Sequence, residues 1–288
     1  MYSTIGVSTW SLQQLTFKRG VQLPEMIEMI ARMGVDGLDL YEEYLPVYPD
    51  TNLAKLNEIK KMAKNAGLPI FSTWFFVDPI GASYSASLEW TTETVKKFIA
   101  VTASLGAKYL ALPTILNIPG VGLDEAYDMY ERVYEKLVPI AEEYDVRLAA
   151  EVARQHTPSL MMRLQKSLKS DYFTICPDFE AWRVDTPDIP LIHQETPGAP
   201  PSEPETIETF TQCLPYSPYI HAKLLSIDEN GEEPHFPIHE MMKAIGESEI
   251  NHHLCIEYEG WIPDIRPEDD AEEETRKCVE LLKKYRKK

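Results

Sequence analysis

The chain has 288 residues, of which 44% are hydrophobic and 26% charged, as in ordinary soluble globular proteins. Its net charge of −18 opposes binding to nucleic-acid backbones and to anionic membranes, and no basic patch in the sequence offsets it. No apolar run approaches the roughly 20 residues of a membrane-spanning helix, and the N-terminus lacks the layout of a signal peptide. We therefore expect a cytoplasmic protein that binds neither nucleic acid nor membranes.

Short apolar runs alternate with longer amphipathic segments, which is typical of repeated βα units and a parallel sheet. The runs predict eight strands at 5–10, 35–40, 68–74, 107–113, 146–151, 172–178, 219–223 and 254–257. The amphipathic segments predict a first helix beginning near Leu23 and Pro24, and later helices at 52–66, 88–105, 123–144, 158–169, 204–214, 238–247 and after Pro267. This order predicts a (β/α)₈ TIM barrel.

No linker divides the sequence, so we expect residues 1–288 to form a single TIM-barrel domain. A long proline-rich segment lies at about 179–203, between the sixth strand and the sixth helix. Loops of this length in compact domains are usually functional or disordered, so this one is a candidate active-site cover or interface arm.

Four consecutive strands carry a metal-ligand residue at the same end. Glu151, Asp178 and Glu257 close the fifth, sixth and eighth strands, and His221 lies within the seventh. In TIM barrels the catalytic groups lie at the carboxyl ends of the strands. Because unpaired carboxylates so close together repel one another, these four residues predict a site for one divalent metal ion.

Three carboxylates and one imidazole form a mainly hard ligand set. It suits Mn²⁺ best, or Mg²⁺, with Co²⁺ and Zn²⁺ as alternatives. An ion there would bind two oxygens of a hydroxy-ketone, polarise the carbonyl and acidify the neighbouring C–H. Glu151 and Glu257, on opposite sides of such a site, are the candidate base and acid that move this proton.

A second group of residues is predicted to bind the substrate. Lys223 follows His221 by two positions, so both side chains point to one face, and Lys223 is expected to bind a substrate oxygen or a carboxylate. Its alternative is a structural ion pair. Trp10 and Trp74 end strands one and three and offer aromatic surfaces to a sugar ring, with core packing as the alternative. Three further candidates lie in loops at the same end: Glu42, His156 and Arg183.

The order of the four ligand residues, with the segments PDFEAW, PYIHAK and IEYEG, resembles the xylose-isomerase-like TIM barrels over essentially the whole chain. That family includes sugar-phosphate isomerases and epimerases, keto-sugar 3-epimerases, inosose dehydratases and the metal-bearing subunit of C-glycoside deglycosidases. In keto-sugar epimerases the two glutamates are both ligands and acid/base groups. The resemblance therefore implies this double role for Glu151 and Glu257.

The three segments look most like the deglycosidase branch, in which a 3-keto-glycoside loses its aglycone by elimination. Two positions depart from the known branches. Ala181 stands where the epimerases have a histidine, three residues after the strand-six acid. Ala153 stands where the deglycosidases commonly have a catalytic histidine, and His156 of the same loop is a candidate to replace it.

We therefore expect an enzyme that removes a proton next to a carbonyl of a sugar or keto-sugar and so isomerises or epimerises it. The alternative is a lyase with the same first step, either a C-glycoside deglycosidase or an inosose-type dehydratase. Endonuclease IV-type nucleases share the barrel, but their three-zinc sites need more histidines than this chain has. A silent binding subunit is a further alternative, and a homo-oligomer or a partner subunit is compatible with the sequence.

Overall fold

A computed structural model describes residues 4–47, 50–80, 88–115, 121–153, 156–184, 205–262 and 265–286. The strands in these ranges are β1 (Thr4–Ser8), β2 (Gly37–Tyr41), β3 (Ile70–Trp74), β4 (Tyr109–Pro113), β5 (Arg147–Val152), β6 (Phe173–Pro177), β7 (Tyr219–Leu224) and β8 (His253–Tyr258). The helices are α1 (Gln13–Arg19), α2 (Leu23–Arg32), α3 (Leu53–Asn65), α4 (Leu88–Leu105), α5 (Leu123–Glu143), α6 (Thr157–Leu168), α7 (Ile207–Cys213), α8 (Ile238–Glu247) and α9 (Ala271–Lys284). None of the described helices has both the length and the apolar character that crossing a membrane requires.

The eight strands form one parallel sheet in the order β6-β5-β4-β3-β2-β1-β8-β7. A parallel bridge between Asp178, directly after β6, and His221 in β7 brings the two edges of this sheet together. The sheet is therefore a nearly closed barrel with helices between its strands. This architecture confirms the predicted (β/α)₈ TIM barrel.

The strands are buried on both faces because helices cover the outside of the barrel and side chains fill its inside. In β7 all six residues are buried. Ile220 and Ala222 face the outer hydrophobic core under the helices, whereas Tyr219 belongs to the inner cluster of the barrel. Since side chains alternate along a strand, His221 and Lys223 point inwards as Tyr219 does. This alternation brings polar residues of β7 into the barrel.

The first βα unit differs from the prediction. β1 ends at Ser8 rather than at residue 10, because the Ser8 side chain accepts a hydrogen bond from the Trp10 backbone and caps a 3₁₀ helix at Thr9–Leu12. An additional helix, α1, follows and ends at Gly20, whose φ of 70° stops it. Among the described residues, the prediction therefore misses one helix: the buried residues of α1 are Gln13, Gln14 and Leu15, so it has no apolar stripe by which the sequence would reveal it.

The proline-rich segment predicted at 179–203 begins with a 3₁₀ helix at Phe179–Trp182. Asp178 starts this turn, because its Oδ1 accepts a hydrogen bond from the Glu180 backbone N at 2.8 Å. Residues 185–204 lie outside the described residues. The described start of the segment thus extends from the strand end that carries Asp178.

Candidate metal centre

The structure brings the four predicted metal ligands together at the carboxyl end of the barrel. Glu151, Asp178, His221 and Glu257 each offer one ligand atom, and these four atoms lie within 4.8 Å of one another. All four residues are buried, the most exposed being Glu151 at 3%. The grouping follows from the parallel strands, because β5 to β8 end at the same rim.

His221 lies between the two glutamates of this group. Its Nδ1 is 2.7 Å from Glu151 Oε1 and 3.5 Å from Glu257 Oε2. Burial on its own lowers the pKa of the His221 ring, but Cys176 and the two glutamates raise that pKa well above its ordinary value. The acidic groups around the ring therefore favour positive charge in this pocket.

Glu257 shows whether the pocket fits a metal ion. Both of its carboxylate oxygens are buried, and neither has a hydrogen-bond partner among the described residues. Burial raises the pKa of the carboxyl, and repulsion from Glu151 adds to this effect against the attraction of His221. Burying oxygens without partners is unfavourable unless a cation or a donor reaches them. The oxygen-rich donor set and these open oxygens fit a hard divalent ion.

Lys223 lies beside Asp178, one of the four candidate ligands. Its Nζ is 2.9 Å from Asp178 Oδ2 and 3.2 Å from Glu259 Oε1. Burial opposes the charged form of Lys223, yet these carboxylates raise its pKa well above the ordinary value. Arg183 continues this charged group, because its buried guanidinium lies 3.3 Å from Glu180 Oε1. Both predicted cations are thus at the rim, and both are held in ion pairs.

The two predicted tryptophans also reach the site. Trp74 Nε1 donates to Glu151 Oε2 at 2.8 Å, and Trp10 Nε1 donates to Glu259 Oε1 at 2.9 Å. Their rings belong to an aromatic wall with neighbouring ring centroids 4.8 to 5.6 Å apart: Trp10, Tyr41, Trp74, Phe76 and Trp261. The wall stands mainly at the ends of β1 to β3, and the ligands stand at the ends of β5 to β8.

The remaining two predicted residues differ in position. Glu42 lies next to the aromatic wall, where its Oε2 accepts a hydrogen bond from the Phe76 backbone N at 3.2 Å and burial raises its pKa. His156 is exposed at the start of α6, with a φ of 64°, and its backbone N donates to Glu205 Oε1 at 2.8 Å. Within the described residues, its ring makes no hydrogen bond or ion pair with the four ligands.

Several residues of the site were not predicted from the sequence. Glu259 follows Glu257 by two positions and Tyr219 precedes His221 by two, so the two-residue period of a strand was a usable signal for both. Asp39 is the only acid within the buried strand GLDLY. An acid inside such a strand is itself a signal of a polar partner inside the barrel.

Comparison with known proteins identifies the family of this barrel, since the model of one family matches residues 27–285. The chain belongs to the xylose isomerase-like TIM barrels. A C-glycoside deglycosidase alpha subunit from Arthrobacter globiformis is 34% identical to it over 58 residues, which are 20% of this chain and 16% of that relative. The matched part of this relative is thus about a sixth of its length.

Solved structures of sugar epimerases share the fold of this xylose isomerase-like barrel. D-psicose 3-epimerase from Clostridium cellulolyticum H10, solved with D-tagatose, has a TM-score of 0.73 and 12% identity, with 98% of this chain and 99% of that chain covered. For 3-keto-D-glucoside 4-epimerase from E. coli, the TM-score is 0.68 and the identity 15%, with the same coverage. At such identities the likeness shows the fold alone.

Proposed function

We propose that this protein is a divalent-metal-dependent enzyme that removes a proton next to a carbonyl of a sugar or keto-sugar, and so isomerises or epimerises it. The observation that carries this proposal is Glu257, whose two buried oxygens find no hydrogen-bond partner in the part of the chain that the structure describes and lie beside three other metal-ligand side chains. Glu151, Asp178, His221 and Glu257 would hold the ion. When bound, a divalent ion, most suitably Mn²⁺, polarises the substrate carbonyl and acidifies the adjacent C–H.

The two glutamates are the proposed proton carriers because they enter the pocket from β5 and β8, on either side of His221. One carboxylate takes the proton from carbon, and the other, in its protonated form, delivers a proton to the opposite face of that carbon. This exchange inverts the carbon and gives an epimer. Since the reaction is reversible, each glutamate is the base in one direction and the acid in the other.

The glutamates are held differently. Glu151 is fixed by His221 at 2.7 Å and by the indole N–H of Trp74 at 2.8 Å. Within the described ranges, no hydrogen bond fixes the oxygens of Glu257, and His221 Nδ1 lies 3.5 Å from Oε2. We propose that Glu257 adapts its position to the substrate, whereas Glu151 is held in place by Trp74.

A lyase is the second candidate, and the match to the deglycosidase alpha subunit favours it. In this reaction the same proton is removed, but the electron pair of the broken C–H bond expels a leaving group from the next carbon. The departing group is then the aglycone or water. Both candidates therefore need the same first step and the same base.

Reaction in deuterium oxide tests both candidates. Purified protein loaded with Mn²⁺ is incubated with a panel of ketoses and keto-glycosides, and the products are followed by NMR and mass spectrometry. Solvent deuterium in an epimer or isomer supports the first candidate, and loss of water or aglycone supports the second. If no substrate of the panel shows exchange or elimination, the proposed proton abstraction is contradicted.

We also propose that the substrate has no phosphate group. Lys223 and Arg183, the predicted substrate-binding cations, are buried in ion pairs with carboxylates. The loops after late strands are frequent phosphate sites in TIM barrels. Here the backbone N atoms of Leu225 and Ser226, which follow β7, both donate to Glu233 Oε2 at 2.8 Å. A phosphate would meet a carboxylate there.

Competition between a free ketose and its phosphate ester tests this preference. We expect the free sugar to exchange deuterium faster than the phosphate ester, and inorganic phosphate to leave its exchange rate unchanged. A higher kcat/KM for the phosphate ester would contradict the preference without affecting the proposed metal site.

A further inference from the structure

Beneath the four ligands, the barrel contains a buried polar cluster outside the metal pocket. It consists of Asp39 in β2, Ser72 in β3 and Tyr219 in β7, each at most 1% exposed. The Tyr219 hydroxyl lies 3.0 Å from His221 Nε2 and donates to Asp39 Oδ1 at 3.0 Å. Ser72 Oγ donates to the same Asp39 oxygen. A continuous chain of hydrogen bonds thus runs from a metal-ligand candidate to a carboxylate across the barrel.

A carboxylate at this depth is unfavourable and needs a partner. The interior of a TIM barrel is filled mostly by branched apolar side chains, whereas Asp39 is 1% exposed among strands. The neighbouring strand makes room for it, because a Cβ at Gly6 would lie 2.8 Å from Asp39 Oδ2. Packing alone would be served better by an apolar side chain, so the acid has another role.

The chain of hydrogen bonds determines which nitrogen of His221 faces the pocket. A histidine that binds a metal through one ring nitrogen keeps its proton on the other. Nδ1 of His221 faces the other ligands, at 2.7 Å from Glu151 Oε1, so Nε2 must hold the proton when an ion is bound. The Tyr219 hydroxyl also lies 2.7 Å from Ser72 Oγ, which itself donates to Asp39. Because the hydroxyl gives its own proton to Asp39 or to Ser72, its oxygen accepts the proton of Nε2.

We propose that Tyr219 and Asp39 are positioning residues for the metal: they orient the His221 ring and keep its proton on Nε2, so that Nδ1 is available as a ligand. The inference rests on the proposed metal site. Tyr219 acts on His221 directly, and Asp39 acts through Tyr219. Tyr109 stacks on the Tyr219 ring with centroids 5.2 Å apart and supports it from outside the hydrogen-bond chain.

Mn²⁺ affinity tests the inference with a matched pair of variants. Tyr219→Phe removes the hydroxyl that contacts His221, and Tyr109→Phe removes the same group from the stacked ring. By calorimetric titration of the full chain, we expect Tyr219→Phe to weaken Mn²⁺ binding by roughly 10- to 100-fold, as for other partners of metal-bound histidines. Tyr109→Phe should bind Mn²⁺ about as tightly as the wild type.

Equal affinities of Tyr219→Phe and the wild type would overturn the inference. Absence of Mn²⁺ binding by the wild type would instead overturn the proposed metal site, so the two failures are distinguishable. Asp39→Asn keeps a hydrogen-bond acceptor but removes the charge, and we expect an affinity between those of the wild type and Tyr219→Phe.

The state of the His221 ring gives a readout that a general packing defect would not mimic. Heteronuclear NMR of isotope-labelled histidines in the Zn²⁺-loaded wild type should show a slowly exchanging proton on Nε2 of His221. This proton should exchange faster in Tyr219→Phe, while the ring of His252, which bonds to Ser217 O at 2.7 Å, stays unchanged. An unchanged His221 signal in Tyr219→Phe would contradict the positioning role, and parallel changes at His252 would indicate a packing defect and contradict it too.

Discussion

The two halves of the barrel mouth differ in chemistry. The side formed by β5 to β8 carries the ligand candidates, all buried and held among charged partners. The side formed by β1 to β3 carries most of the aromatic wall, whose outermost ring, Phe76, is 56% exposed. We propose that this contrast is a division of labour: the buried charge would hold the reacting atoms, and the rings would hold the apolar surface of the substrate.

The largest effect is expected from a substitution in the charged half of the barrel mouth. Glu257→Gln keeps the size of the side chain but removes both a proton carrier and a metal ligand. We expect deuterium exchange into the substrate to fall by about 100- to 10,000-fold, the usual contribution of a positioned acid or base. Exchange rates measured with Mn²⁺ in excess check this loss, and circular dichroism checks the fold. Exchange at the wild-type rate would exclude Glu257 as a carrier.

The second effect concerns stability rather than turnover. Lys223→Met leaves Asp178 and Glu259 buried without their cation, so we expect the free energy of unfolding of the metal-free protein to fall by about 3–5 kcal/mol. Lys108→Met is the matched control, because it breaks an ion pair with Asp145 whose side chains are 55% and 59% exposed, and it should lower the free energy of unfolding far less than Lys223→Met does. Urea denaturation measures both; equal losses would show that burial does not distinguish the pairs.

The third effect distinguishes substrate binding by the aromatic half of the barrel mouth from metal binding by the charged half. Phe76→Ala removes the exposed ring of the aromatic wall, and we expect KM to rise about 2- to 10-fold with little change in kcat, because an aromatic contact contributes about 0.5–1.5 kcal/mol. Mn²⁺ affinity should not change. Phe17→Ala, at an exposed phenylalanine of α1, is the control and should leave KM as it is. A fall in Mn²⁺ affinity in Phe76→Ala would contradict the division of labour.

The smallest effect lies at the opposite end of the barrel. Burial lowers the pKa of His252, so below the ordinary histidine pKa of about 6.5 the unfolded chain binds a proton more readily than the folded protein. This residue therefore makes the folded protein less stable as the pH falls below that value. We expect His252→Gln to lose less stability than the wild type when the pH is lowered from neutral to mildly acidic. Thermal unfolding at each pH measures this difference. An unchanged pH dependence of stability in His252→Gln would contradict this role of His252.

The ligand quartet was predictable because it depends on local information. Each strand is visible as an apolar run, and parallel strands end at one rim, so Glu151, Asp178 and Glu257 were expected to meet. Contacts across the barrel were not predictable in this way. Tyr219 and Asp39 come from strands that are far apart in sequence and are not neighbours in the sheet, so their contact depends on the closure and register of the whole barrel.

The positions of loop residues were also hard to predict from the sequence. His156 was expected near the pocket because it follows β5 by a few residues, but its position depends on how the chain turns into α6. In the structure its backbone bonds to Glu205, and its ring is exposed. Arg183 was placed at the correct rim, whereas its partner Glu180 could be recognised only once the 3₁₀ helix after β6 was known.

Metal loading tests the central claim most directly. Wild type, Glu257→Gln and the rim control Glu42→Gln are dialysed against Mn²⁺, and bound metal is measured by elemental analysis. We predict one ion per chain in the wild type and in Glu42→Gln, because Glu42 lies outside the quartet, and a strong loss of bound metal in Glu257→Gln. A wild-type protein without bound metal, or unchanged loading in Glu257→Gln, would contradict the account.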